Sequence, residues 1–154
     1  MAEFHPCVVI PIYNHKKTIA DVVASLAHLK IPYLIVDDAS NVETQKTLAE
    51  LEQADSNVEI LNRTENGGKG AAVTTGLLTA YKKGFTHALQ VDADGQHLAS
   101  DAVKFLESAK NQPESLVLGQ PYFDKSAPKS RVYGRKITQF FVWLETVSFE
   151  IKDT

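Results

Sequence analysis

The chain has 154 residues, of which 44% are apolar and 23% charged, close to the average of a soluble globular protein. The length suits one domain, predicted over residues 1–154. Sixteen Lys and Arg against 19 Asp and Glu give a net charge of −3, so a nucleic-acid partner is not expected. A single cysteine excludes an intramolecular disulfide framework and a multi-cysteine zinc site, and it fits a reducing compartment. No apolar stretch approaches the ~20 residues that a membrane span needs.

Apolar runs, helical periodicity and turn residues predict alternating strands and helices. A possible capping box at Ser40 and Glu43 opens the second helix, and Gly84 ends the third. In chain order, the predicted elements are strand Cys7–Tyr13, helix Lys16–Leu29, strand Tyr33–Val36, helix Ser40 to about Gln53, strand Val58–Leu61, a helix from the glycine turn to near Gly84, strand Thr86–Val91, helix Ser100 to about Asn111, strand Leu116–Leu118, loop Gln120–Ser130 and helix Arg135–Phe149.

This alternation predicts an α/β fold, a mostly parallel sheet flanked by helices. Such sheets bind ligands outside the carboxyl ends of their strands. The sequence therefore directs attention to four loops, Pro11–His15, Asp37–Asn41, Arg63–Gly70 and Asp92–His97.

The first acidic pair of interest is Asp92-Ala93-Asp94, directly after an apolar strand. Two carboxylates that turn toward one point repel each other unless one is protonated or a cation lies between them. Oxygen ligands select Mg²⁺, Mn²⁺ or Ca²⁺, and Gln96 adds a neutral oxygen nearby. A metal site is favoured over the alternative, a solvated turn.

A second acidic pair, Asp37-Asp38, also follows a strand. Adjacent side chains diverge in extended backbone, so one carboxylate is expected to cap the turn at Ser40 while the other faces the cleft. The alternative is that both carboxylates only initiate the turn. A carboxylate facing the cleft can accept hydrogen bonds from a base N–H or a ribose hydroxyl.

Two further segments carry weaker signals. Asn66–Gly70 fits a phosphate-binding turn at a helix N-terminus, but Gly70 after Lys69 excludes a P-loop and Val73 excludes the dinucleotide fingerprint. A simple helix-entry turn remains the alternative. Pro11 is expected to stop the first ladder, and Tyr13 offers a ring face with a polar tip.

Four segments together resemble the inverting family-2 glycosyltransferases, in particular the dolichyl-phosphate-mannose synthase-like branch. They occur in the family's order and at its spacing, and the resemblance covers nearly the whole chain. The segments are Val8-Val9-Ile10-Pro11-Ile12-Tyr13-Asn14, Leu34-Ile35-Val36-Asp37-Asp38-Ala39-Ser40, Asn66-Gly67-Gly68-Lys69-Gly70-Ala71-Ala72 and Val91-Asp92-Ala93-Asp94-Gly95-Gln96-His97.

The resemblance implies a nucleotide-diphospho-sugar transferase fold of the GT-A type and a set of site residues. Mg²⁺ or Mn²⁺ would be held by Asp92 and Asp94, with Gln96 joining the metal shell. Pro11, Tyr13 and Asp38 would hold the base. The implied nucleotide-sugar site as a whole comprises Pro11, Tyr13, Asn14, Asp38, Lys69 and Asp92.

The implied reaction moves a sugar from a UDP- or GDP-type donor to an acceptor with inversion. The resemblance implies a polyprenyl or other lipid phosphate, or a glycan, as the acceptor. An anionic phosphate needs no general base, whereas a hydroxyl does, and no catalytic residue is assigned. Lys69, Arg131 and Arg135 are candidates to stabilise the leaving diphosphate. The expected location is cytoplasmic, with the inner face of a membrane, peripheral membrane contact and a dimer left open.

The chain also departs from the family. His15 stands where relatives often have an acidic residue, and Pro121 stands where they often carry an arginine. The chain ends at Asp153-Thr154, where relatives continue on the acceptor side, so a C-terminally truncated domain is expected. The apolar face of the last predicted helix, 135–149, is interpreted as core packing rather than as a lipid-facing surface.

Three alternatives remain open. Asp92–Gly95 resembles the signature of haloacid-dehalogenase-like phosphatases, although that signature follows the first strand. Asp37-Asp38 resembles the acidic pair of a receiver domain, which also follows the first strand. The third alternative is a non-catalytic nucleotide- or metal-binding module.

Overall fold

A computed structural model describes residues 3–95 and 99–119. The chain groups into two compact units, Met1–Val117 and Leu118–Thr154, and every element described below belongs to the first. The predicted loop 120–130 and helix 135–149 lie outside the described residues. A single domain over 1–154 therefore stays a prediction.

The first unit contains a four-stranded parallel sheet with the order β3-β2-β1-β4. The strands are β1 Pro6–Ile12, β2 Tyr33–Asp37, β3 Val58–Asn62 and β4 His87–Gln90. The helices are α1 Ile19–Leu26, continued by a 3₁₀ turn Ala27–Leu29, then α2 Val42–Ala54, α3 Gly68–Lys82 and α4 Ala99–Asn111. The predicted parallel sheet with flanking helices is confirmed.

Each face of the sheet has its own apolar cluster. All residues of β1 and β2 are buried, because helices cover both faces. Alternate residues of these strands pack on one side against α1, α2 and α4. On the other side, Cys7, Val9 and Val36 pack against Ala72 and Ala80 of α3. Cys7 is thus a core residue, and burial raises the pKa of its thiol to about 11.

Two predicted elements differ from the structure. Residues 116–118 form no strand, and Leu116 and Leu118 are 84% and 69% exposed. A three-residue apolar run cannot by itself hold an extended backbone, because a strand is stabilised by its ladder partners.

The predicted capping box is also wrong. Asn41, not Ser40, caps α2, and its side chain accepts a hydrogen bond from Thr44 N at 2.9 Å. Ser40 and Glu43 instead contact the loop after β1: Ser40 Oγ accepts from Asn14 N, and Glu43 pairs with Lys16. The local sequence matched the motif, but the side chains of Ser40 and Glu43 contact the loop after β1 and Asn41 caps the helix.

Candidate functional site

The four predicted loops meet at the carboxyl edge of the sheet, around a cleft of about 380 Å³. The cleft lies where the chain order reverses, between β1 and β4, which is where open α/β sheets bind ligands. Its walls are formed by Pro11, Ile12, Tyr13, His15, Asp38, Asn66, Gly68, Lys69, Ala72, Asp92 and Asp94.

Pro11 separates β1 from β4 at this point. β1 continues through Pro11 to Ile12 on the β2 side, so proline does not end the strand. Val91 N donates to Val9 O at 3.0 Å, which is the last hydrogen bond between β1 and β4. Pro11 lies two residues after Val9, so its backbone nitrogen faces β4 as well, but proline has no N–H to donate. The two strands are therefore no longer paired beyond Val9, and the cleft lies at this point.

The loop after β1 is attached to its neighbours by hydrogen bonds. Asn14 adopts a left-handed conformation, with φ of 59°. Its Oδ1 accepts from Asn41 N at 2.8 Å, and its own N–H donates to Ser40 Oγ at 3.0 Å. Asn14 is absent from the cleft wall and holds this loop in place, whereas Tyr13 beside it lines the cleft and is 50% exposed.

The two carboxylates after β2 have different surroundings, as predicted. Asp37 Oδ1 accepts from Ser40 N at 3.0 Å, which closes the turn. Asp38 faces the cleft but is almost fully buried, and its Oδ2 accepts from Gly68 N at 2.7 Å. Asp38 thus holds the first residue of α3 against the end of β2.

Arg63 is a site-forming residue that the sequence analysis did not single out. Its Nη1 lies 3.0 Å from Asp38 Oδ1, and its side chain is largely buried. Gly67 N also donates to Asp38, at 3.1 Å, and a Cβ on Gly67 would lie 2.6 Å from Arg63 Nη2. A side chain at position 67 would therefore displace the Arg63 guanidinium from its observed place. No local signal distinguished Arg63 from a solvated arginine.

The paired carboxylates after β4 both line the cleft. Asp92 receives the ammonium of Lys69, whose Nζ lies 2.7 Å from both carboxylate oxygens. Gln90 Nε2 donates to Asp92 Oδ1 at 3.3 Å. The loop itself is tied to α1, since Thr18 Oγ1 donates to Ala93 O at 2.5 Å. Gln96 lies outside the described residues, as do Arg131 and Arg135.

Comparison with known proteins identifies the family. The sequence model of Glycosyl transferase family 2 matches residues 7–153, nearly the whole chain. The chain belongs to glycosyltransferase family 2. Family membership excludes the phosphatase and receiver alternatives. The positions of the acidic pairs agree with this, because both alternative signatures follow the first strand, whereas the pairs here follow β2 and β4.

Two curated relatives illustrate the family. A UDP-N-acetylglucosamine–dolichyl-phosphate N-acetylglucosaminyltransferase of Methanococcus voltae is 32% identical over 88% of this chain and 61% of its own length. A polyprenol monophosphomannose synthase of Mycolicibacterium smegmatis is 30% identical over 75% of this chain and 44% of its own. The chain thus spans about half the length of these relatives.

A solved structure is also similar, the mannosyltransferase PcManGT from Pyrobaculum calidifontis in complex with GDP-Man and Mn²⁺. It has a TM-score of 0.48 and 21% sequence identity, and the match covers 58% of this chain and 27% of that one. Within the part of the chain that the structure describes, no helix is long and apolar enough to cross a membrane.

Proposed function

We propose that this chain is the donor-binding part of a metal-dependent glycosyltransferase that moves a sugar from a nucleotide-diphosphate sugar with inversion. The observation that carries this proposal is the cleft itself. Its lining brings together the carboxylates of Asp38, Asp92 and Asp94, the ammonium of Lys69 and the N-terminus of α3, with the half-exposed ring of Tyr13. These are the groups that a base, a diphosphate and its metal ion require.

The base would lie against Pro11 and Tyr13. Asp38 at the cleft wall has a carboxylate with about four lone-pair sites, so it can accept a base N–H besides its contacts with Gly67, Gly68 and Arg63. The diphosphate would lie toward the N-terminus of α3, where the helix dipole and backbone N–H groups favour an anion.

The donor set fits a hard divalent cation. Asp92 and Asp94 supply carboxylate oxygens, and Asp92 already attracts a cation, the Lys69 ammonium. Among residues 3–95 and 99–119, no cluster of three or more His, Cys, Asp or Glu side chains could hold a metal. Mg²⁺ is usually bound by one or two carboxylates together with substrate phosphates, so Asp92 and Asp94 are the proposed ligands of Mg²⁺ or Mn²⁺, with Gln96 as a further candidate.

A bound metal would stabilise, as a Lewis acid, the negative charge that the nucleoside diphosphate gains as the glycosidic bond breaks. The chain's own residues hold the donor: Asp38 orders the turn before α3, and Asn14 holds the loop that carries Tyr13. Lys69 lies where an ammonium can contact the leaving phosphates.

For the acceptor, we propose a polyprenyl phosphate. The Methanococcus voltae relative and a dolichyl-phosphate beta-glucosyltransferase of Trichomonas vaginalis are named for dolichyl phosphate, and the Mycolicibacterium smegmatis relative is named for a polyprenol monophosphomannose product. A phosphate acceptor is already anionic, so attack on the anomeric carbon needs no general base. The site would then operate at the cytoplasmic face of a membrane, through peripheral contact.

Calorimetric titration with UDP and GDP, each with and without Mn²⁺, tests this proposal. We expect one nucleotide to bind in a metal-dependent manner. Asp94→Ala should abolish the effect of Mn²⁺, whereas Glu50→Ala, an exposed acid on α2, should leave it unchanged. If Asp94→Ala keeps the same affinity and the same response to Mn²⁺, the metal assignment is wrong. If the folded wild-type chain binds neither nucleotide, the donor-site assignment is wrong.

A further inference from the structure

Lys69 occupies a position that helix stability does not explain. It is the second residue of α3, where the positive end of the helix dipole disfavours a cation. Its ammonium nevertheless lies in the cleft, 2.7 Å from Asp92 Oδ1 and Oδ2. The compensating interaction is therefore with Asp92, 23 residues away in sequence.

The pair is built so that it can separate. The Lys69 side chain is 56% exposed and that of Asp92 is 28% exposed. Ion pairs with this much solvent contact contribute little to stability, so breaking one costs little free energy. Gln90 Nε2 also contacts Asp92 Oδ1 and can hold the carboxylate in place after the lysine leaves.

A divalent ion and the ammonium compete for the same carboxylate. Mg²⁺ binds a carboxylate oxygen at roughly 2.1 Å. An ammonium 2.7 Å from those oxygens would then lie within about 4–5 Å of the ion, where like charges repel strongly. The ammonium and the metal ion therefore oppose each other's binding to Asp92 in the geometry observed.

We propose that Lys69 is an exchangeable counter-ion, which holds Asp92 before the metal ion binds and contacts the donor's diphosphate afterwards. This inference rests on the proposed function. The ammonium and the N-terminus of α3 face the same cleft, so the lysine can leave Asp92 for phosphate oxygens by rotating its own side chain.

The exchange couples metal binding to nucleotide binding. Without nucleotide, the metal ion must displace an ammonium that gains no new partner, so its affinity is low. With nucleotide present, the displaced ammonium gains the diphosphate, and the two ligands strengthen each other's binding. Such coupling is reciprocal, so it is measurable from either ligand.

The test compares Mn²⁺ binding to the wild type and to Lys69→Met. Free Mn²⁺ is followed by electron paramagnetic resonance, with and without UDP or GDP, whichever binds the wild type more tightly. In Lys69→Met, we expect Mn²⁺ alone to bind about five-fold more tightly, the size that a partly exposed ion pair supports. The factor by which nucleotide strengthens Mn²⁺ binding should fall at the same time.

Two control variants separate this mechanism from a general charge effect. Lys69→Arg keeps the cation and should keep the weak binding of Mn²⁺ alone. Lys82→Met removes the same charge from the other end of α3, where the side chain is exposed, and should behave as the wild type.

If Lys69→Met binds Mn²⁺ alone no more tightly than the wild type does, the proposal that Lys69 is an exchangeable counter-ion is wrong. This holds even if the wild type binds nucleotide and Mn²⁺ together. An equal gain in Lys82→Met would overturn it too. If neither the wild type nor Lys69→Met binds Mn²⁺ or nucleotide, the proposed function fails as well, so the two failures are distinguishable.

Discussion

The packing of α3 against the sheet leaves no room for a side chain at Gly76. A Cβ there would lie 2.4 Å from Val9 Cγ1 and 3.1 Å from Val36 Cγ2. Carbon atoms in contact are normally about 3.5–4.0 Å apart, so Gly76→Ala requires the helix or the strands to shift by roughly 1 Å. Both valines are fully buried in the sheet, so their side chains have little room to move.

Gly70 provides a matched control in the same helix, because a Cβ at Gly70 meets nothing within 4 Å. Alanine gains up to about 1 kcal/mol over glycine in a helix at either position. Only Gly76→Ala also overpacks the core, which destabilises a protein by about 1–3 kcal/mol. Gly70→Ala should therefore be neutral or stabilising, and Gly76→Ala should be less stable than Gly70→Ala by that 1–3 kcal/mol.

Thermal unfolding followed by circular dichroism measures this difference. At roughly 2–4 °C per kcal/mol for a chain of this size, the two variants should differ in Tm by roughly 2–12 °C. Val9→Ala removes the atom that clashes, so it should cost less in the Gly76→Ala background than in the wild type. Equal Tm values for the two glycine variants, or additive effects of Gly76→Ala and Val9→Ala, would refute the close-packing argument.

Two further predictions concern buried ionisable groups. Asp38→Asn keeps the shape of the side chain but removes the charge that Gly67, Gly68 and Arg63 contact. The free energy of unfolding, measured in urea, should therefore fall by about 3 kcal/mol. A loss under about 0.5 kcal/mol would contradict this prediction. For Cys7, burial raises the pKa from 9.0 to about 11, so between these values the unfolded chain releases a proton that the folded chain keeps. Stability should therefore fall as pH rises through this window, by up to about 1.4 kcal/mol per pH unit, and Cys7→Ala should show a shallower loss; identical alkaline slopes would count against the raised pKa.

Local sequence was sufficient for most elements near the site. Strands β1 and β2 are continuous apolar runs, and α3 ends before Gly84, which has φ of 82°, as its position predicted. These features depend on side-chain periodicity and on single-residue backbone preferences, both of which can be read within a few residues. Leu116–Leu118 shows the limit, because a short apolar run does not reveal whether a ladder partner exists.

The sequence by itself determined the alternation of strands and helices, the two acidic pairs at strand ends and the glycine turn, because each depends on neighbours in the chain. Only the tertiary structure decided that Lys69 holds Asp92, that Arg63 and Gly68 hold Asp38, and that Gly76 lies against Val9. These contacts join residues brought together by the order β3-β2-β1-β4. Strand order follows from how two apolar faces are buried at once, and that depends on the packing of the whole sheet.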